Sequence, residues 1–273
     1  MSQPIFTRYL YYISEVVNSL HWSILEKQCD ESLYWVYELY FSGFQEEAFY
    51  FIKEFTSMYN DEIYPQYEAY INKEYQEWKK NQTDHCIIGT IVNLLVHSKV
   101  SITNALRIRQ NIKIEEKKYE INDIIVSRLP ISEIHKYQTL KLEKNMRNWT
   151  FLKKVACKYV IRRVICDGLS YTYPKVDKID FDNWLYYASH TPIWGKRIQK
   201  FNGSINHGIH TVTIDNEDFY KLYDYEPDEQ CIELRNMLWN NNIEIYEKIS
   251  VSDFCSKYGN NNVYRKCKII LSN

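Results

Sequence analysis

ESLYWVYELYFSGFQEEAFYFI, residues 31–52, is the stretch whose reading decides the fold. Leu33, Val36, Tyr37 and Tyr40 recur at the three- and four-residue spacing of one helical face. Phe44, Ala48, Phe51, Ile52 and, just beyond, Phe55 repeat the pattern. Between the two runs Ser42-Gly43 supplies a helix stop, and Asp30 is placed to cap the first helix. Two apolar helices separated by so short a break lie side by side, so the stretch reads as an antiparallel helical hairpin.

The same pattern extends outward. Upstream, Phe6, Tyr9, Leu10, Ile13, Val16, Val17 and Leu20 form one stripe. Downstream, Asp61 and Pro65 open a helix carrying Tyr67, Ile71, Tyr75 and Trp78. Ile87, Ile88, Ile91, Leu94 and Leu95 make the next, and Ser101 is placed to cap one that runs through Ile108. Short links favour antiparallel neighbours, an architecture like that of HEAT-type scaffolds, although no fixed repeat period is present. Residues 111–126 lean towards alternation and read either as a short β-hairpin or as a charged loop. From Ser132 to about Cys166 the helical pattern returns, weakest at Asn145–Thr150, so one long helix and two in series both fit.

Residues 169–179 read as a linker. Beyond them Asp180 caps a helix carrying Phe181, Trp184, Leu185 and Ala188, and Pro192 starts another with Trp194 and Ile198. Ser204–Asp215 holds the clearest β signal, around Asn206-His207-Gly208. Helices near Phe219–Tyr223, Gln230–Trp239 and Ser252–Tyr258, then a strand-like run Val263–Leu271, complete the chain. The fold class expected is mainly α, with an N-terminal antiparallel helical array over 1–168 and a small C-terminal α+β module over 180–273.

An apolar fraction of 45% in 273 residues supports a proper core and excludes disorder as the default. The 25 Tyr against 7 Gly and 6 Pro are unusual. Tyr, Asn, Ile and Lys have A/T-rich codons, so part of this excess is genome composition rather than a base-stacking platform. Seven scattered cysteines, odd in number and without C-x-x-C, point to a reducing compartment. The first twenty residues lack a basic stretch followed by an apolar run, so no secretory signal is expected. Ile87–Val96, the longest uncharged apolar stretch, is too short for a bilayer, and no membrane partner is expected.

Charge is sorted along the chain. Residues 1–98 hold 6 Lys/Arg against 14 Asp/Glu, residues 99–163 hold 16 against 6, and the remainder 12 against 15, within a net charge of −1. Such sorting steers charged partners, or else the two fields face one another inside the molecule. Lys141, Lys144, Arg147, Lys154, Lys158 and Arg162 fall on one side of a helical wheel, and Arg107 and Arg109 extend the row. Helical spacing makes such a row a track for the phosphates of RNA or DNA, contacting backbone rather than bases. The acidic N-terminal helices are the matching surface for a protein partner.

Trp194, beside Lys196 and Arg197, reads as a partner-binding edge or as an inter-domain anchor, while the other tryptophans sit mostly on core stripes. His207-x-x-His210 is the only close histidine pair and lacks further ligands, so no metal is expected. Glu226-Pro-Asp-Glu229 reads as a helix start, with Pro in its first position and acids in its first turn. No G-x-S-x-G, P-loop or G-x-G-x-x-G occurs, so no catalytic residue and no cofactor is assigned.

Residues 31–52 and 191–230, the latter with Pro192-Ile-Trp, Gly203-x-Ile205 and Tyr225-Glu-Pro-Asp-Glu-Gln230, resemble an uncharacterised protein family of nucleocytoplasmic large DNA viruses of the giant-virus type. The resemblance covers about a quarter of the chain. It implies expression in host cytoplasm or a viral factory, with the virion as a further location, and implies no activity. Residues 31–52 are also similar to the helical collar of clamp-loader-type ATPases, whose ATPase motifs this chain lacks. The function expected is a non-catalytic viral scaffold or adaptor joining a protein partner to nucleic acid. The alternative is a virion structural protein, whose sorted charge makes head-to-tail contacts.

Overall fold

A computed structural model describes residues 6–59, 65–102, 105, 126–162 and 180–239. Its described residues are mainly helical, with a single two-stranded sheet. The helices are α1 (Ile13–Leu25), α2 (Cys29–Phe41), α3 (Gln45–Met58), α4 (Pro65–Lys80), α5 (Cys86–Val96), α6 (Ile131–Gln138), α7 (Asn148–Ala156), α8 (Trp184–Ala188), α9 (Pro192–Lys200), α10 (Glu217–Tyr223) and α11 (Ile232–Leu238). Strands β1 (Ser204–Asn206) and β2 (Thr211–Thr213) pair antiparallel between α9 and α10.

The two helices read from 31–52 are present and in contact, and α2 is the axis of the fold. Every residue from Glu31 to Tyr40 is buried, the carboxylates of Glu31 and Glu38 included, because neighbours pack on all sides of the helix. The order against α1 is antiparallel: Ser32 bonds Ser23 at 3.0 Å, while Tyr34, further along α2, meets Tyr11 ahead of α1 at 3.1 Å. Against α5 it is antiparallel too, with Cys29 on Asn93 at 3.1 Å and Tyr37 donating to the His85 carbonyl at 2.9 Å. Because α2 packs on α1, α3, α5 and α6 at once, the helices close around it, unlike a linear stack in which each hairpin meets only its sequence neighbours. Ser42 caps α2, and Gly43 follows at φ 97°, the left-handed stop expected of it. The helix itself begins one residue before Asp30, after Gln28, so Asp30 lies in its first turn and does not cap it.

Gly89 of α5 faces this axis where no side chain fits. A Cβ there would stand 2.2 Å from Tyr37 Oη and 2.8 Å from Leu129 Cδ2. Gly89→Ala is expected to destabilise the protein by about 1–3 kcal/mol in urea unfolding. Adding Tyr37→Phe, which deletes the nearest atom, should recover part of the loss; strict additivity of the two changes would contradict the clash.

The first apolar stripe is helical only from Ile13. Residues 6–12 fold back as a loop, with the Phe6 and Tyr12 rings stacked at 5.2 Å and Leu10 at φ 64°. Arg8 is the cause. Its guanidinium is buried and spends its donors on three partners: Nε on Glu38 Oε2 at 2.8 Å, Nη1 on the Gln138 carbonyl and Nη2 on the Tyr137 carbonyl, both at 2.6 Å. The rings of Tyr9 and Phe41 cover it at 4.6 and 5.2 Å. The other Glu38 oxygen accepts from the Tyr9 amide at 3.1 Å, and the Arg8 amide donates to Ser42 Oγ at 2.7 Å. Burial pushes the Glu38 carboxyl up, and the facing guanidinium pulls it back down.

Residues 180–239 close on the same loop. Ile193 N donates to the Ser42 carbonyl at 3.1 Å, Trp194 Nε1 to the Thr7 carbonyl at 3.1 Å, and Trp239 Nε1 to the Leu10 carbonyl at 2.8 Å. Thr191 donates to the Phe6 carbonyl. One contiguous core runs from Phe6 to Trp239 through both segments. The linker read at 169–179 lies outside the described residues, as do Arg107 and Arg109, the hairpin-or-loop stretch up to residue 125, and the elements read at 252–258 and 263–271.

Of the two arrangements that fit the pattern from Ser132, two helices in series are found, α6 and α7, separated by 139–147, with Asn145 at φ 78°. Leu140 N is drawn out of helical pairing by Tyr9 Oη, to which it donates at 3.1 Å. Glu226–Glu229 does not open a helix. It is a turn after α10, closed by Glu229 N on the Glu226 carbonyl at 3.1 Å, with Glu226 at φ 44° and α11 starting only at Ile232.

Candidate nucleic-acid interface

The sorted charge is partly spent inside the molecule. Arg162 reaches Glu26 at 2.8 Å and Glu31 at 2.6 Å, and Glu31 also accepts from Trp35 Nε1 at 3.1 Å. Lys136 meets Asp30 at 3.0 Å, and Arg128 pairs with Asp84. Each pair joins a cation of the basic third to a carboxylate of the acidic third. Arg162 therefore belongs to the frame: its amide also donates to Ser19 Oγ at 2.9 Å.

Lys141, Lys144, Arg147, Lys154 and Lys158 stay outside, though not on one helix. Phe151, Leu152, Val155 and Ala156 turn inward from α7, at spacings of one helical face, and Phe151 packs edge-on to Tyr9 at 5.9 Å. That orientation leaves Lys153 and Lys154 exposed on the opposite face. Lys141, Lys144 and Arg147 are exposed too, on the irregular segment leading into α7. Among the described residues Lys154 pairs with Glu143, while no carboxylate stands at ion-pair distance from Lys141, Lys144, Arg147 or Lys153. Lys158 follows α7, with its ammonium 5.5 Å from the Tyr34 ring centre and 5.6 Å from that of Tyr159. Partial burial there lowers its pKa.

Trp149, read as core, is 39% exposed. It lines an open groove of about 780 Å³ with Met146, Arg147 and Asn148 on one wall and α10 with its following turn on the other. Side-chain amides fix the two walls. Asn148 Nδ2 donates to the Tyr220 carbonyl at 2.8 Å and to that of Lys221 at 3.1 Å. Gln230, itself buried, donates to the Trp149 carbonyl at 3.3 Å and to that of Tyr225 at 2.7 Å. The far wall carries Glu217, Asp224, Glu226 and Glu229, with Tyr220 38% exposed among them. Burial and like-charge neighbours push the Asp224 and Glu226 carboxyls up. Sequence periodicity could not find this groove, because its walls lie about 70 residues apart and meet only through tertiary packing.

The Trp194 motif takes the anchoring role. Trp194 is buried against Trp184, Tyr223 and Tyr225, and the Arg197 guanidinium lies 4.5 Å from the ring centres of both Trp194 and Tyr223. Of that trio only Lys196 is exposed. His207 and His210 flank the Tyr186 ring instead of converging, and among the described residues no group of three or more His, Cys, Asp or Glu side chains is placed to hold a metal ion. No described helix is long and apolar enough to cross a membrane.

No protein-family model, no curated protein and no solved structure matches this chain.

Proposed function

We propose that the protein is a non-catalytic scaffold that binds the backbone of RNA or DNA through Lys141, Lys144, Arg147, Lys153 and Lys158 and takes a protein partner on its acidic helices. The observation that carries this reading is selective pairing. Arg128, Lys136 and Arg162 are held by carboxylates of the acidic third, whereas among the described residues Lys141, Lys144, Arg147, Lys153 and Lys158 have no carboxylate at ion-pair distance. The surface offered to the protein partner is the outer face of α3, where Glu46, Glu47, Tyr50 and Glu54 are exposed in one stripe. The viral setting, in host cytoplasm, factory or virion, rests on the resemblance of 31–52 and 191–230 and belongs to the same proposal.

Five phosphate contacts release counterions to a slope of log K on log salt between about −3 and −5, depending on strand number. The test is a salt series of binding to labelled RNA and DNA. The triple substitution Lys141→Glu, Lys144→Glu, Lys153→Glu should flatten that slope by about two to three. Arg162→Ala, by contrast, should lower stability and leave the slope in place. No binding even at low salt overturns the reading, and the virion structural role then takes its place.

A further inference from the structure

The groove beside α7 is electrically two-sided. Its near wall, Met146–Trp149, carries Arg147 and no carboxylate, and continues into exposed Lys144 upstream and Lys153 downstream. Its far wall carries four carboxylates and Lys221, and Lys221 is already engaged by Asp218 at 3.0 Å and Glu217 at 3.7 Å. Among the described residues Asp224, Glu226 and Glu229 have no cation at ion-pair distance. Each wall also carries one half-exposed ring, Trp149 on the near wall and Tyr220 on the far one. A purely anionic ligand fails on the far wall, and a purely cationic one meets Arg147 on the near wall. The arrangement suits a ligand with phosphate on one side, a flat ring in the middle and hydrogen-bond donors on the other.

We propose that this groove receives a guanine base of single-stranded nucleic acid, stacked on Trp149, with its backbone on the cations of the near wall. The inference rests on the nucleic-acid reading above and adds a base preference to it. Guanine presents two neighbouring donors, N1–H and N2–H, on its Watson–Crick edge, which the two oxygens of one carboxylate accept together. Uracil offers one donor between two carbonyl acceptors, and those acceptors would face the carboxylates of Asp224, Glu226 and Glu229. Stacking is available to any base, so the ring supplies affinity and the carboxylates supply the choice. Duplexes are excluded, because a paired guanine has already committed that edge.

Fluorescence anisotropy of the full chain with end-labelled eight-nucleotide RNAs, alternating U-G against all-U, tests the inference. Binding of the U-G strand is expected to be about tenfold tighter at equal salt. Trp149→Ala should weaken the U-G strand most, and the double substitution Asp224→Ala, Glu229→Ala, on exposed or half-exposed positions, should bring the ratio of the two affinities close to one. Equal affinity for both strands with a steep salt slope overturns the guanine site and leaves the backbone reading standing. Absence of binding to either strand overturns both. An arginine-rich octapeptide that binds and is lost on the same double substitution overturns the guanine assignment in favour of a cationic partner.

Discussion

Glu38→Ala is expected to cost about 3–5 kcal/mol of unfolding free energy. The charge it leaves behind decides the size. Arg8 is 4% exposed and Glu38 is 0% exposed, so the guanidinium would remain inside the core with only the Tyr137 and Gln138 carbonyls and two aromatic faces. An unpaired buried charge is far more expensive than the net value of the pair, because desolvation of both ions has already consumed most of their attraction. The double substitution Arg8→Met, Glu38→Leu removes both charges and should recover part of the loss. Full recovery is not expected, since it strands the two carbonyls that Arg8 satisfies, at about 1–3 kcal/mol each when buried. Urea unfolding at constant m-value reads all three proteins. A Glu38→Ala variant within about 1 kcal/mol of the parent would show that the pair does not organise the loop.

The second large effect concerns Trp194. Truncation to Ala deletes a fully buried indole and is expected to cost about 3–5 kcal/mol. Trp194→Phe, which keeps a ring but loses the donor to the Thr7 carbonyl at 3.1 Å, should cost less. The location of the damage is more informative than its size. The adjoining Ile193 amide donates to the capping carbonyl of α2, and Gly43 approaches Pro192 so closely that an added Cβ would lie 2.5 Å from it. Loss of Trp194 should therefore lower amide protection in α1 and α2 as well as in α9, through one cooperative opening. Unchanged protection in α2 alongside increased exchange in α9 would mean that residues 180–239 unfold as a separate unit.

Both effects turn on residues whose importance the linear pattern hides. Arg8 is one arginine in an acidic stretch, and nothing in its neighbours distinguishes it from a solvated cation. Its role depends on Glu38, 30 residues away, and on carbonyls about 130 residues away. Residues 6–12 have helical apolar spacing and still form a loop, because Arg8 and the Tyr9 amide gain more from Glu38 than from helical pairing. Trp194 likewise stands beside two cations in the sequence, yet Arg197 stacks across its ring and seals it from solvent.

Periodicity alone determined the helical class, the stop at Ser42-Gly43 and the small β element around Asn206–Gly208. These are local matters: a side chain's face follows from its position along 3.6 residues per turn, and a glycine stop from its freedom at positive φ. The single basic helical face expected over 141–162 is broken, since Lys141, Lys144 and Arg147 precede α7 and Arg162 turns to Glu26 and Glu31. Tertiary structure alone decided which charges are free. The sequence shows one basic third, whereas packing sends Arg128, Lys136 and Arg162 to Asp84, Asp30 and Glu26 with Glu31, and leaves the cations around α7 outside. The groove of Trp149, Tyr220 and the 224–229 turn was likewise decided only by packing, because opposed walls come from chain segments that meet after the core has closed. Pairing between distant charges depends on distance in space, which no spacing along the chain encodes.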